Sequence, residues 1–367
     1  MRIAIAGGSV AGLFAAALLR QAGHKVQIFE RSRHGLQGRG AGLVPQQELF
    51  DLLSLIGRED VARLGIVANQ RIILDRAGEV ISRAPRPQMQ LSWDHLYLAV
   101  RGEVDDAAYH LGSGAIAAGQ GNDGAWLELE DGRRIDADIV IGADGIGSAV
   151  RYSLLGDGAH PRYAGYVAWR ALVPERLLPE AAALRLSDQF AFYNSVDSQA
   201  LGYTVAGASG ELSAGDRRYN AVWYRRVADL SATLIDREGR SHPFSLPPGG
   251  VRPEAEQSLL IAAGELLPPP FAAAFTVEPR PFVQAIFDMV TPRMVDGQIA
   301  IIGDAAFVAR PHTAMGIAKA AGDAIALASA IGAGWTPEAK ARFERERLRA
   351  GEAIVNYGRR LGASLSF

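Results

Sequence analysis

The chain contains no cysteine. Disulfides, zinc held by thiolates and cysteine nucleophiles are therefore excluded, and the composition fits a cytoplasmic setting. Net charge is also scarce: 38 Lys and Arg against 40 Asp and Glu leave −2. Neither a basic excess nor a polybasic run marks a nucleic-acid or anionic-membrane partner. No segment approaches the ~18 uninterrupted apolar residues of a spanning helix. The small, apolar stretch from Arg2 to Leu19 has the composition of a signal peptide. Gly7, Gly8, Ser9 and Gly12 interrupt it, however, and another strand-like run follows. Also missing are a Ser-His-Asp order, a histidine cluster with metal-ligand spacing and a P-loop, so no metal site is expected.

What remains is a 367-residue chain, 49% hydrophobic, long enough for two domains or one elaborated one. Arg2–Ala6 reads as a buried strand, Gly7–Gly12 as a turn, Leu13–Gln21 as a helix stopped by Gly23, and Lys25–Glu30 as a second strand. Together they have the length of one βαβ unit. Residues 46–65 and 93–109 read as helical and 70–92 as strands. From Tyr163 to Arg226 aromatic and polar residues alternate, as in an antiparallel sheet with one face covered. A buried strand at Gln298–Ile302, a helix over Ile317–Ile331 and a charged helical tail from Pro337 to Leu361 complete the chain. The expected fold is α/β: a discontinuous Rossmann-like domain with an inserted antiparallel β-sheet domain. Its segments are 1–65 and 93–160 in the first domain, 66–92 as strands joining the inserted sheet, 161–280 as the insertion, and 281–367 as the return.

Gly7-Gly8-Ser9-Val10-Ala11-Gly12 is a variant of G-x-G-x-x-G. The chemistry needs a tight turn at Gly7, close backbone approach to a pyrophosphate near Ser9, and helix–strand packing at Gly12. The following helix start supplies N–H groups and the positive end of its dipole. Glu30, at the end of the second strand, suits an adenosine ribose and disfavours a 2′-phosphate. The alternative is a structural glycine turn with a solvated strand end.

Two further strand exits follow. Residues 138–151 (DIVIGADGIGSAVR) deliver Asp144 and Gly145 into a turn before a helix. Residues 298–306 (QIAIIGDAA) place Gly303 and Asp304 similarly, ahead of Arg310-Pro311-His312-Thr313-Ala314-Met315-Gly316. Each alone is a common turn; the ordered set of three is much more specific. With these motifs the sequence resembles the class A FAD-dependent aromatic monooxygenases, the p-hydroxybenzoate hydroxylase family. It is most similar to the 2,6-dihydroxypyridine hydroxylase branch, through GGSVAGL, SWDHLY, GYVAWRALVPE, RRYNAVWYR, PFVQAIFD and GDAAFVARPH.

The resemblance implies FAD as cofactor, NADH or NADPH and O2 as co-substrates, and oxygen transfer from a flavin C4a-hydroperoxide to a small electron-rich aromatic or hydroxypyridine ring. It implies that Gly7–Gly12 and Glu30 hold the ADP half, that Asp144-Gly145 serves FAD and the nicotinamide donor, and that Asp304 contacts the ribityl chain. Met315, Gly316 and Ile317 would present helix N–H groups to the flavin edge that gathers charge on reduction. Trp93 stands where many members carry Arg or Gln, which makes Arg39 and Arg101 candidate substitutes. Arg31, Arg33 and His34 are candidates for the nicotinamide donor's phosphates, with a solvated basic turn as the alternative.

The substrate wall is expected from the insertion: Tyr166, Trp169, Tyr193, Tyr203, Trp223 and Phe287, each of which could instead be core. Arg170 and Arg310 are candidates for an anionic substrate, with Pro311 bordering the ring. His312, beside the flavin loop, has an intrinsic pKa suited to proton transfer. Other readings stay open: an epoxidase or reductase on the same scaffold, an NAD-dependent dehydrogenase, or a non-catalytic FAD-binding protein. The Trp-x-Trp-x-Ile-Pro segment of flavin halogenases is absent. The chain is expected to act as a monomer or homodimer.

Overall fold

The computed structural model describes residues 1–38, 40–277 and 280–364. Strand β1 (Arg2–Ala6), helix α1 (Val10–Gln21) and strand β2 (Lys25–Glu30) form the expected unit, with β1 and β2 parallel and Ile3 opposite Val26. The apolar run of Ile139–Gly142 lies on the other side of β1, again parallel, and Ile299–Ile301 lies beyond it. Tyr109–Leu111 adds to β2 and closes a six-stranded sheet. This sheet is therefore assembled from distant parts of the sequence. Its strands read as continuous apolar runs because helices cover it, α1 and Gly316–Gly332 among them.

The helix expected over 93–109 ends at Arg101. Gly102 follows, the Arg101 guanidinium turns back onto the Val104 carbonyl at 2.6 Å, and the chain leaves to supply the edge strand.

The second sheet has nine strands, ordered Ser245–Leu246, Phe282–Val290, Arg162–Pro174, Arg218–Arg226, Ser198–Val205, Gln189–Ser195, Gln70–Leu74 and Val80–Ala84, with Phe307–Val308 on the Phe282 strand. Gln70–Leu74 and Val80–Ala84 thus join the inserted sheet, whereas Gln88–Ser92 pairs in a small three-stranded sheet. Phe282–Val290, expected in the returning segment, pairs with Arg162–Pro174 instead.

The period of two along each strand sorts the side chains. Val167, Trp169, Ala171 and Val173, with Tyr219 and Trp223, pack beneath Leu259 and Ala263 of the helix Pro253–Leu266 and Phe271 and Phe275 of the helix Pro269–Thr276. Each of these helices starts on a proline. Tyr166, Ala168, Val222, Tyr224 and Ile286 lie on the opposite face, toward the first domain.

Candidate active site

The glycine turn is as tight as its sequence requires. Gly7 has φ +100°, and a Cβ there would lie 2.3 Å from the Ala143 carbonyl oxygen. A Cβ on Gly12 would lie 2.0 Å from the Gly7 oxygen. Glu30 is buried under this turn and accepts the backbone N–H groups of Gly8 and Ser32, both at 2.8 Å. Tyr109 donates to the Gly8 carbonyl at 2.8 Å; burial, then contact with Tyr97, pushes its pKa well up, so the donor stays protonated. Ser9 starts α1 without a side-chain cap, leaving the first-turn N–H groups for an outside acceptor.

A cavity of about 990 Å³ begins at Ser9, Val10 and Ala11, passes Gly145, Gly303 and Asp304, and runs along Pro311–Ile317 to the inserted sheet. A 3₁₀ turn at Pro311–Thr313 and a left-handed Ala314 (φ +54°) redirect the chain into the Gly316 helix. That helix also starts without a side-chain cap and faces the cavity. No atom lies within 4 Å of a Cβ placed on Gly316 or Gly145, whereas Gly303 (φ +63°) is pressed against Ala11. Two uncapped helix starts facing one elongated groove, with glycines where side chains would narrow it, fit a dinucleotide with a pyrophosphate and an electron-accepting ring. Among the described residues no carboxylate–histidine group could hold a metal ion, and no helix is long and apolar enough to cross a membrane.

At the sheet end the wall consists of Phe190, Phe192, Leu201, Tyr203, Val222 and Tyr224, with Arg170, Gln199 and Gln284 among them, and Arg71, Arg86 and Tyr357 also line the cavity. The Arg170 Nε is buried without a hydrogen-bond partner, as is that of Arg71. Burial pushes the Tyr203 and Tyr224 hydroxyls up in pKa, partly offset by Arg170, so both remain protonated donors. His312 Nε2 contacts the Tyr166 hydroxyl at 2.8 Å, and its ring lies 4.3 Å from that of Tyr224. Burial, reinforced by Arg310, lowers the His312 pKa to about 4. The imidazole is thus neutral at pH 7 rather than poised near it.

Several expected site residues lie elsewhere. Trp169, Tyr193, Trp223 and Phe287 occupy the helix-covered face of the sheet, one residue out of phase with the cavity. Tyr166 shares the cavity-side face but stands behind His312 rather than on the wall. Arg310 lines the cavity with its guanidinium already held by Asp288 at 2.8 and 3.0 Å. Arg101 lies over the Tyr109 ring at 4.2 Å and bonds Asp106, away from the cavity. The Asp144 carboxylate is spent on the next helix, accepting from Ser148 Oγ and the Ala149 and Val150 N–H groups, so only Gly145 faces the groove. Arg31, Arg33 and His34 lie off the cavity, with Arg31 exposed. Arg39 lies outside the described residues. A second cleft, of about 560 Å³ and lined by Arg2, Arg20, Gly23 and Lys25, lies at the other end of α1, away from the Gly7–Gly12 turn and the Gly316 helix start.

Residues 5–53 match the family described as an NAD(P)-binding Rossmann-like domain, residues 276–357 an FAD binding domain, and residues 163–288 an FAD binding domain-like family. The chain is 32% identical to 2,6-dihydroxypyridine 3-monooxygenase of Paenarthrobacter nicotinovorans, over 99% of this chain and 91% of that one. The chain belongs to the FAD-dependent aromatic monooxygenases. To 6-hydroxynicotinate 3-monooxygenase of Bordetella bronchiseptica, another monooxygenase, it is 28% identical over 89% of this chain and 81% of that one. The solved structure of 2,6-dihydroxypyridine-3-hydroxylase from Arthrobacter nicotinovorans superposes with a TM-score of 0.92 at 31% identity, covering 100% of this chain and 92% of the other. As a monooxygenase of this family the enzyme uses FAD, NAD(P)H and O2, and the dehydrogenase reading of the glycine turn is not favoured. The groove described above fits that cofactor.

Proposed function

We propose that this monooxygenase hydroxylates a single small ring held as an anion, an ionised hydroxypyridine or a hydroxybenzoate-like carboxylate. One observation carries the reading. Arg170 reaches the cavity with a buried Nε that no acceptor meets, and the only carboxylate among the described lining residues, Asp304, is bound to Lys319. A buried Nε–H without an acceptor is costly, and an anionic ligand oxygen would satisfy it. The relatives named for 2,6-dihydroxypyridine and 6-hydroxynicotinate act on rings of this kind.

Bound FAD would supply the redox chemistry, two-electron uptake from NAD(P)H and activation of O2. The chain does the rest. Ser9–Ala11, Gly303–Asp304 and Met315–Ile317 hold the cofactor, with Gly7, Gly8, Gly12 and Glu30 shaping the turn. The N–H groups at the Gly316 helix start favour negative charge on the ring edge they face. Phe190, Phe192, Leu201 and Val222 exclude water, while Tyr203 and Tyr224 donate to ring oxygens. Arg170 favours the ionised, electron-rich form of the ring. An anion bound beside His312 raises its depressed pKa, so proton uptake at the imidazole is coupled to substrate binding. Tyr166 holds Nε2 and hence the ring orientation.

In this reading the enzyme is cytoplasmic, a monomer or homodimer with no nucleic-acid partner, in keeping with its cysteine-free, nearly neutral composition. The test is a panel of hydroxypyridines, hydroxybenzoates and neutral phenols, scored by hydroxylated product. Turnover of anionic rings, lost in Arg170→Met, supports the reading; preference for a neutral ring overturns it.

A further inference from the structure

Lys319 presents a problem that the site so far leaves open. It is the fourth residue of the Gly316–Gly332 helix, and its side chain is 0% exposed. A buried ammonium is expensive, and a helix start is the wrong end for a positive charge. An apolar side chain would pack there at less cost. The Nζ instead donates to Asp304 Oδ1 at 2.6 Å and to the Phe307 carbonyl. Asp304 itself is 56% exposed, on the cavity wall. One turn further along the same helix, fully buried Asp323 accepts the Gly303 N–H at 2.9 Å and the Arg347 Nε–H at 2.7 Å. The Gly303–Asp304 step is thus gripped twice from behind, at its backbone by Asp323 and at its side chain by Lys319.

We propose that Lys319 is a positioning residue for FAD: it fixes the Asp304 carboxylate facing the groove and cancels its charge, so that an anionic cofactor can bind beside it. The inference rests on the reading that FAD occupies this groove. The pyrophosphate is doubly negative, and the reduced ring adds negative charge. A bare carboxylate would repel both, while one paired from behind still accepts hydrogen bonds from cofactor hydroxyls through its remaining lone pairs. Lys319 touches neither the groove nor the ring and acts entirely through Asp304.

The test is a double-mutant cycle of Lys319→Met, Asp304→Asn and both together. FAD affinity is read by fluorescence titration of apoprotein, and apoprotein Tm is measured in parallel. Lys319→Met is expected to weaken FAD binding at least ten-fold in the wild-type background and less than two-fold in the Asp304→Asn background. If Lys319→Met binds FAD within two-fold of wild type, or loses the same factor in both backgrounds, the proposal fails and Lys319 is a packing residue. If the single variant does not fold, the double variant decides: binding equal to Asp304→Asn supports the proposal, and failure to fold overturns it. Wild-type apoprotein that does not bind FAD would refute the cofactor reading instead, a separate result.

Discussion

His312 Nε2 and the Tyr166 hydroxyl are 2.8 Å apart, joining the cofactor-domain loop to the first long strand of the inserted sheet. Burial lowers the histidine's pKa to about 4 and raises the tyrosine's to about 12, so at neutral pH both are uncharged. A histidine depressed in the folded state from about 6.5 takes up protons first in the unfolded chain. Its contribution to stability is full above about pH 6.5 and is lost as the pH falls toward 4. Urea unfolding of the apoprotein at pH 5 and pH 7 should show a larger loss at pH 5 for wild type than for His312→Gln. Equal losses would mean that the histidine is not buried neutral.

Arg170→Met should fold normally, because no described side chain depends on its guanidinium. It should weaken binding of an anionic ring by about ten- to hundred-fold, the scale of one charge-assisted contact. Perturbation of the flavin spectrum on titrating the ring measures this. Unchanged affinity would remove Arg170 from the substrate site.

The two faces of the inserted sheet can be separated by one adjacent pair of residues. Trp223 is fully buried against the helices and donates Nε1–H to Ser198 Oγ at 2.6 Å, whereas Tyr224 lines the cavity. Trp223→Phe should cost about 2 kcal/mol of stability and leave substrate affinity unchanged. Tyr224→Phe should weaken substrate binding with a smaller effect on Tm. The reverse pattern would place the faces wrongly.

Glycines in the groove should differ in the same way. Gly12→Ala drives a Cβ to 2.0 Å from the Gly7 oxygen and should impair both folding and FAD binding. A Cβ on Gly316 meets no atom within 4 Å, so Gly316→Val should keep its Tm within a few degrees, while losing FAD affinity by about ten-fold as the groove narrows. Normal FAD binding by Gly316→Val would move the cofactor away from this helix start.

Much of this was legible in the sequence because the cofactor unit is local. β1, the glycine turn and β2 lie within one βαβ length, and the two Gly/Asp strand exits announce themselves by residue type. The substrate wall was only half legible. In Gly165–Glu175, alternation alone places Tyr166, Ala168 and Arg170 on one face and Trp169 on the other, so an aromatic residue's presence was a poorer guide than its parity. The same count would have selected Phe190 and Phe192 over Tyr193. Asp144 could not be sorted by sequence, since a strand-exit aspartate serves a cofactor and a helix cap equally well. Arg71 and Arg86 come from a distant hairpin, Tyr357 from the terminal helix and Lys319 from inside an apolar helix. Only tertiary structure brings the first three to the groove and sets Lys319 behind Asp304.

The most direct test of the central claim is the visible spectrum of the purified protein, followed by NAD(P)H oxidation under ¹⁸O2 with the panel of hydroxylated pyridines and benzoates. A yellow protein whose oxidation rate rises with one anionic ring, giving a product that carries one labelled oxygen, is the predicted result. A protein that stays colourless after reconstitution with FAD, or one that oxidises NAD(P)H and never labels a ring, would contradict it.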